Sequence, residues 1–337
     1  MKKSIRYLIL FTLFLLLAAC GSSQNSKGTL TIYVGLYEDH AIKAIESFEK
    51  ETGIKVSYNR MANGQILSTI KAEEEEPKAS VWYGGPSETF IQAKNEGLLQ
   101  SYISPNASMI LEQYKDPAGY WTGIYVGSLA LVSNRSWLQD VGLQAPQSWL
   151  DLLDPAYKGM VSMPDPRSSG TGYTIISTLI QLMGEDEGFA YLKKLNQNVK
   201  AYTTSGSSPG RAVGMGEAGV AIMFAHDALK FFKEGFNDIH ITFPTEGTGY
   251  EIGAVGLISN APNEAEAKAF IDWALTKQAQ ELGKQMGNYQ LLTNENAISP
   301  EEAFYLTELN VIDYDIEWAG TERLRLIERW LLETGLN

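Results

Sequence analysis

Cysteine occurs once in the 337 residues, at position 20, and histidine occurs three times. One thiol forms no disulfide within a chain, so the fold must hold by core burial alone. Nor is there a cysteine pair for zinc, an H-E-x-x-H, or a G-x-x-x-x-G-K-[ST] phosphate loop. Positive charge is scarce: 27 Lys and Arg stand against 40 Asp and Glu, a formal charge of −13. Such acidity argues against nucleic acid as a partner. It also makes any anion site a local exception that has to be built. No apolar run reaches the roughly 18 residues that a membrane-spanning helix needs.

The longest apolar run, Tyr7 to Ala19, follows Lys2, Lys3 and Arg6. A positive segment, a short apolar one and small residues at the end make a secretory leader over residues 1–19. It finishes in Leu17-Ala18-Ala19-Cys20, which resembles the lipobox of bacterial lipoproteins. That resemblance implies that Cys20 is lipidated and becomes the new N-terminus, placing the protein outside the cytoplasm on a lipid anchor. Residues 20–27 are small and polar, as a flexible tether requires. The remainder is long enough for two domains and a large core.

From "TLTIYVG" onward, short apolar runs alternate with helical periodicity. "TLTIYVG", "IKVSYNR" and "ASVWYGG" read as strands. "AIKAIESFEKETG", "GQILSTIKAEEEE" and "PSETFIQAKNEGLL" read as helices. Three β-α units in succession predict an α/β fold with a mostly parallel sheet. A second unit runs from "MVSMPD" to the strand "VAIMFA". Two long extended runs, "GIYVGSLALVSN" and "ITFPTEGTGYEIGAVGLIS", join the units. "AEAKAFIDWALTKQAQELGKQMG" reads as one long helix, and the chain after Pro300 as helical. Ligands of such sheets bind beyond the carboxyl ends of the strands, so a cleft between two lobes is the expected site.

Three segments share a plan of strand, small-residue turn and helix start: Tyr83-Gly84-Gly85-Pro86-Ser87, Arg167 to Gly172, and Thr204 to Gly210. Helix starts carry unpaired N–H groups and partial positive charge, which suit phosphate or carboxylate. Each turn serves either ordinary capping or an anion; three in one chain favour the anion. Arg211 in a first helical turn either answers a bound anion or points to solvent. Gly206-Ser207-Ser208-Pro209-Gly210 also matches the nucleophile elbow G-x-S-x-G of serine hydrolases. That mechanism takes an oxyanion donor from the residue after the serine, and Pro209 has no N–H to give.

The segments "DLLDPAYKGMVSMPDPRSSGTGYT", "GNYQLLTNENA" and "ASVWYGGPSETFIQAKNEGLLQSY" resemble the solute-binding proteins of bacterial ABC importers, in the subgroup that takes ferric iron, phosphonates or sugar phosphates. The resemblance implies a two-lobed type II periplasmic-binding fold with two hinge crossings, near 126–128 and 253–255. Lobe one is expected over 28–126 plus 255–299, and lobe two over 127–254 plus 300–337. In the ferric binders the stretch after Gly216-Glu217-Ala218 would end in two tyrosines. Here it ends in His226-Asp227, and Tyr289 alone makes a poor iron site. Sugar-phosphate binders of the family are more similar, with His-Asp here and Glu-Gly-Thr-Gly at 246–249.

The resemblance thus implies capture of a small phosphorylated anion, most simply a hexose phosphate, without catalysis, cofactor or metal. Ser169, Gly170, Thr171 and the turn Ser205, Gly206, Ser207, Ser208 would hold phosphate. His226, Asp227 and Glu246, with Glu246 ahead of Glu251, would hold hydroxyls. Gly84, Gly85, Tyr37 and Glu38 would close over the solute from lobe one. Ferric iron, a phosphonate or a polyamine remain alternative solutes. The expected partners of this monomer are permease subunits, and a membrane sensor kinase is a further possibility.

The leader yields one test. Cys20→Ala should abolish incorporation of labelled fatty acid and move the protein out of the membrane fraction. Unchanged labelling would remove the anchor.

Overall fold

The structure is a computed structural model that describes residues 28–336. The leader, Cys20 and the tether expected from the sequence lie outside the described residues.

The first half alternates strand and helix as the periodicity predicts. It comprises β1 (Leu30–Val34), α1 (Glu38–Thr52), β2 (Val56–Arg60), α2 (Asn63–Ala72), β3 (Val81–Pro86), α3 (Ser87–Asn95) and the short β4 (Leu99–Gln100). Helix α1 buries Ala41, Ala44, Ile45 and Phe48 on one face and stops at Gly53, whose φ of 72° favours glycine. Strand β5 (Thr122–Asn134) is buried along all 13 residues. The chain then forms α4 (Arg135–Val141), β6 (Val161–Pro164), α5 (Gly170–Met183), α6 (Glu185–Leu195), β7 (Val199–Thr203), α7 (Ser208–Gly214), β8 (Val220–Phe224), α8 (Ala225–Lys233) and β9 (Ile239–Thr242). It returns through β10 (Tyr250–Ile258) and closes with α9 (Glu264–Ala274), α10 (Lys277–Gln285), β11 (Leu291–Leu292) and α11 (Ile316–Thr334).

The strands follow the order β2-β1-β3-β10-β5-β8-β6-β7, with β4 beside β10, and β11 and β9 beside β5. Strand β1 is parallel to β2 and β3, and β6 is parallel to β7 and β8. Strand β5 belongs to both halves. Its Thr122–Ser128 part pairs antiparallel with β10, and its Leu129–Ser133 part pairs antiparallel with β8. The backbone of Leu129 also bonds Gly249 O at 2.9 Å, so the return strand joins β5 where its partner changes. This is the two-lobed α/β architecture of the type II periplasmic-binding fold.

Three expectations need correction. The run after Ile241 is not one strand: it breaks over residues 243–249, where Gly247 has φ 122°. The long helix after residue 264 is two helices, because Thr276 caps a new start by accepting from Ala279 N at 3.2 Å. Residues 300–315 run mostly as turns and irregular chain, not helix.

Both faces of each half are packed. In the first half, Phe48, Phe270 and Trp273 fill one side, and Trp82, Phe90 and Ile66 the other. In the second, Trp149, Tyr173, Phe189 and Phe224 fill one side, and Ala221, Met223 and Phe231 the other. Helix α11 lies across the halves. Leu326, Ile327 and Trp330 join the second-half core, while Gly320 sits against α3.

A Cβ at Gly320 would come within 2.4 Å of Ile91 Cβ and 2.9 Å of Glu88 O. Gly320→Ala should therefore destabilise the protein by about 1–3 kcal/mol, seen as an earlier urea midpoint. Leu324→Ala, on the exposed face of the same helix, should leave the midpoint in place.

Candidate functional site

Parallel β-α units point the starts of their helices toward one edge of the sheet, and here those starts surround one cavity. The N-cap residues of six helices line it: Tyr37 of α1, Ala62 of α2, Pro86 of α3, Ser169 of α5, Ser207 of α7 and Phe224 of α8. Unpaired N–H groups and helix dipoles therefore face one common cavity. Both halves contribute to its walls.

The two serine turns meet there. A Cβ on Gly206 would lie 2.1 Å from Thr171 Oγ1 and 3.4 Å from Ser169 Oγ, so only glycine lets these turns touch. Ser205 Oγ and Ser207 Oγ are 3.3 Å apart. Ser169 also caps its own helix, accepting from Gly172 N at 3.3 Å. The capping and cavity-facing roles of this serine are thus both realised.

His226 and Asp227 occupy the first turn of α8, directly after β8. The imidazole stacks on Phe224, with centroids 5.5 Å apart and planes 12° from parallel, and meets the edge of Tyr125 at 6.1 Å. Its Nε2 lies 3.3 Å from Asp227 Oδ1, 3.7 Å from Glu251 Oε1 and 3.4 Å from Gln290 Nε2. Its Nδ1 is buried without a hydrogen-bond partner. A Cβ at Gly127 would sit 2.3 Å from that Nδ1, so β5 is glycine where the ring rests on it. Tyr125 accepts from Gly85 N at 3.3 Å, which ties the first-half turn to the same wall.

Burial is the largest influence on how each member of this group titrates. It pushes the His226 imidazole below its ordinary value, with Asp227 opposing. It pushes the Asp227 carboxyl up, with His226 and Tyr37 opposing. It pushes Glu251 well above the carboxylate range, and the carboxyls of Asp227 and Glu88 add to the rise. A protonated Glu251 donates as well as accepts, so the cluster can match hydroxyls in either sense. The Tyr37 hydroxyl is buried near Asp227 and Ser207.

Of the residues singled out from sequence, Tyr37, Gly85, Ser169, Thr171, Ser205, Gly206, Ser207, His226 and Asp227 line the cavity. Five do not. Glu38 is exposed and accepts from Tyr58 Oη at 3.3 Å. Gly84 lies under Leu36 and takes the Trp82 indole N–H at 3.1 Å on its carbonyl. Gly170 packs beneath Pro86. Ser208 faces an outer groove with Lys200 and Arg211, which also takes Arg211 away from the site. Glu246 is held on the outer loop by Ser148 Oγ at 2.5 Å, and Glu251 takes the place in the wall. The ranking of these two glutamates is therefore reversed, because the break over residues 243–249 carries Glu246 outward.

Arg60, Asn63, Tyr125, Asn288 and Gln290 also line the cavity and were not foreseen. Arg60 ends β2 at its carboxyl edge, the position where the rule for open sheets puts ligands. Asn288 and Gln290 flank Tyr289, so the right loop was in view and its neighbouring residues carry the wall.

The profile of the family described as bacterial extracellular solute-binding protein matches residues 86–313. The periplasmic binding protein AfuA from Actinobacillus pleuropneumoniae, solved with exogenous fructose-6-phosphate bound, is 41% identical with a TM-score of 0.89, over 93% of this chain and 100% of that one. An uncharacterized protein of Haemophilus influenzae is 39% identical over 327 residues, 94% of each chain. The Fe(3+)-binding periplasmic protein of Serratia marcescens is 25% identical over 330 residues, 96% of this chain and 95% of that one. A two-lobed fold, a cavity walled by both lobes and a family match over most of the length agree: the chain belongs to the bacterial extracellular solute-binding proteins, and it is the solute receptor of an ABC importer, not an enzyme.

Proposed function

We propose that the solute is a small phosphorylated sugar, most simply a hexose phosphate. One observation carries this reading. The two serine turns, each at a helix start, touch at Gly206 in the same cavity that holds the His226–Asp227–Glu251 cluster. Helix starts and hydroxyls match a phosphate; carboxyls and an imidazole match neighbouring hydroxyls. In this reading Ser169, Thr171 and Ser205 to Ser207 hold phosphate, and Arg60 offsets its charge from the mouth. His226, Asp227 and Glu251 hold the sugar with Asn288 and Gln290. The bound fructose-6-phosphate of AfuA supports it.

The receptor works by difference. Lobe one (28–126 with 255–299) and lobe two (127–254 with 300–337) close on a solute that touches both, which shifts the population toward the closed form. We place the receptor on the outer membrane face through lipidated Cys20, with permease subunits as its partners. Presentation of the solute to a sensor kinase would use the same closed form.

Thermal shift separates the candidate solutes, because a ligand of the folded state alone raises the melting temperature. Glucose 6-phosphate and fructose 6-phosphate should raise it, and inorganic phosphate far less. A rise only with ferric citrate, 2-aminoethylphosphonate or spermidine would keep the receptor and discard the sugar phosphate. Asp227→Ala should weaken hexose-phosphate binding by about 10- to 100-fold in calorimetry, the cost of leaving a buried hydroxyl without its partner; unchanged affinity would remove Asp227 from the site.

Glu251 makes a separate prediction for the empty protein. Its carboxyl is held well above the ordinary 4.5, so folding takes up a proton there. The stability tied to it is full below that value and is lost as pH rises. Glu251→Gln should therefore lose less melting temperature than the wild type between about pH 5 and pH 8. Equal slopes would mean that Glu251 is charged in the folded state.

A further inference from the structure

The halves also meet at the mouth of the cavity, away from the solute. Lys230 of α8 is 6% exposed although it lies near the surface. Its Nζ donates to Asp39 Oδ2 at 3.0 Å and to Met286 O at 2.5 Å, and lies 5.1 Å from the centre of the Tyr37 ring. All three partners belong to the first half, while Lys230 belongs to the second. Glu234, one turn along the same helix, is 3.5 Å away. On another part of the rim the halves touch through neutral backbone, Gly64 N to Ser168 O at 2.9 Å.

We propose that Lys230 is a clasp, a positioning residue that sets how long the closed, loaded receptor survives without touching the solute itself. The ammonium bridges the lips by charge, by a carbonyl and by an aromatic face. The ring it covers belongs to Tyr37, whose hydroxyl is buried in the cavity wall, so the clasp also fixes one side of the site. Glu234, on the same helix, stays beside the ammonium when the lips part. Opening therefore gives up one ion pair, keeps another and never strands a buried charge, which keeps the clasp reversible. The inference rests on the sugar-phosphate reading only in its choice of probe.

The test uses the full chain, with Lys230→Met and Asp39→Asn alone and together. Asp39 is half-exposed, so Asp39→Asn keeps the test alive should Lys230→Met fold poorly. Glucose 6-phosphate release is followed by stopped-flow fluorescence. Each single variant should release it about tenfold faster, with little change in association. The double variant should be no faster than the singles. Added sodium chloride should speed release from the wild type more than from the variants. Asp39→Asn should leave the melting temperature of the empty protein unchanged, and small-angle scattering should give both single variants a larger mean radius than the wild type.

Release rates and radii equal to wild type would overturn the clasp. So would additive effects in the double variant, since the residues would then act apart. If the wild type does not bind glucose 6-phosphate, the solute reading fails. The scattering comparison alone then decides the clasp.

Discussion

Strand β5 is the constraint on which the rest of the molecule depends. It is buried along its whole length and carries pairing partners of both halves in succession, β10 first and β8 next. No disulfide is possible within the chain to share that task. A continuous backbone ladder fixes where each half starts, and hence where the carboxyl ends of the strands converge. The cavity is a result of that convergence: six helix starts face it because the strands that feed them all end there.

The site sets two electrostatic tendencies against each other. Helix starts favour negative charge, whereas the surrounding protein is strongly acidic and the cavity itself holds two carboxyls. Burial eases the conflict by pushing the Glu251 and Asp227 carboxyls up, toward the neutral form. The same low-dielectric wall makes the orphaned Nδ1 of His226, held against Gly127, a standing cost.

Much of this was legible in the sequence because period and punctuation were strong. The first three β-α units were readable from apolar spacing, and Gly53 marks a helix end where glycine is needed. The serine turns at 169–171 and 205–207 were legible for the same local reason. What was missed depended on long-range geometry. Glu251 and Glu246 are five positions apart with like chemistry, and only the turn over 243–249 decides which faces inward. Thr276 splits a helix whose apolar spacing continues across the break. Arg60, Asn288 and Gln290 come from segments far apart in the chain, and no local pattern joins them. The His226-Asp227 pair opens a helix that the sequence does not announce, because the Phe224–Ala225 junction carries no side-chain cap.

The glycine under His226 has a mechanical consequence. Gly127 lies one residue before Ser128, the last β5 position paired with β10, and Leu129 begins the pairing with β8. The imidazole therefore rests where β5 passes from one set of partners to the other. In the function proposed above, a solute that presses on His226 would act at the join of the two lobes, and fit at the ring and angle between the lobes would become one variable. A solute of the wrong thickness at that point would then tilt the jaws before the rest of it has been examined.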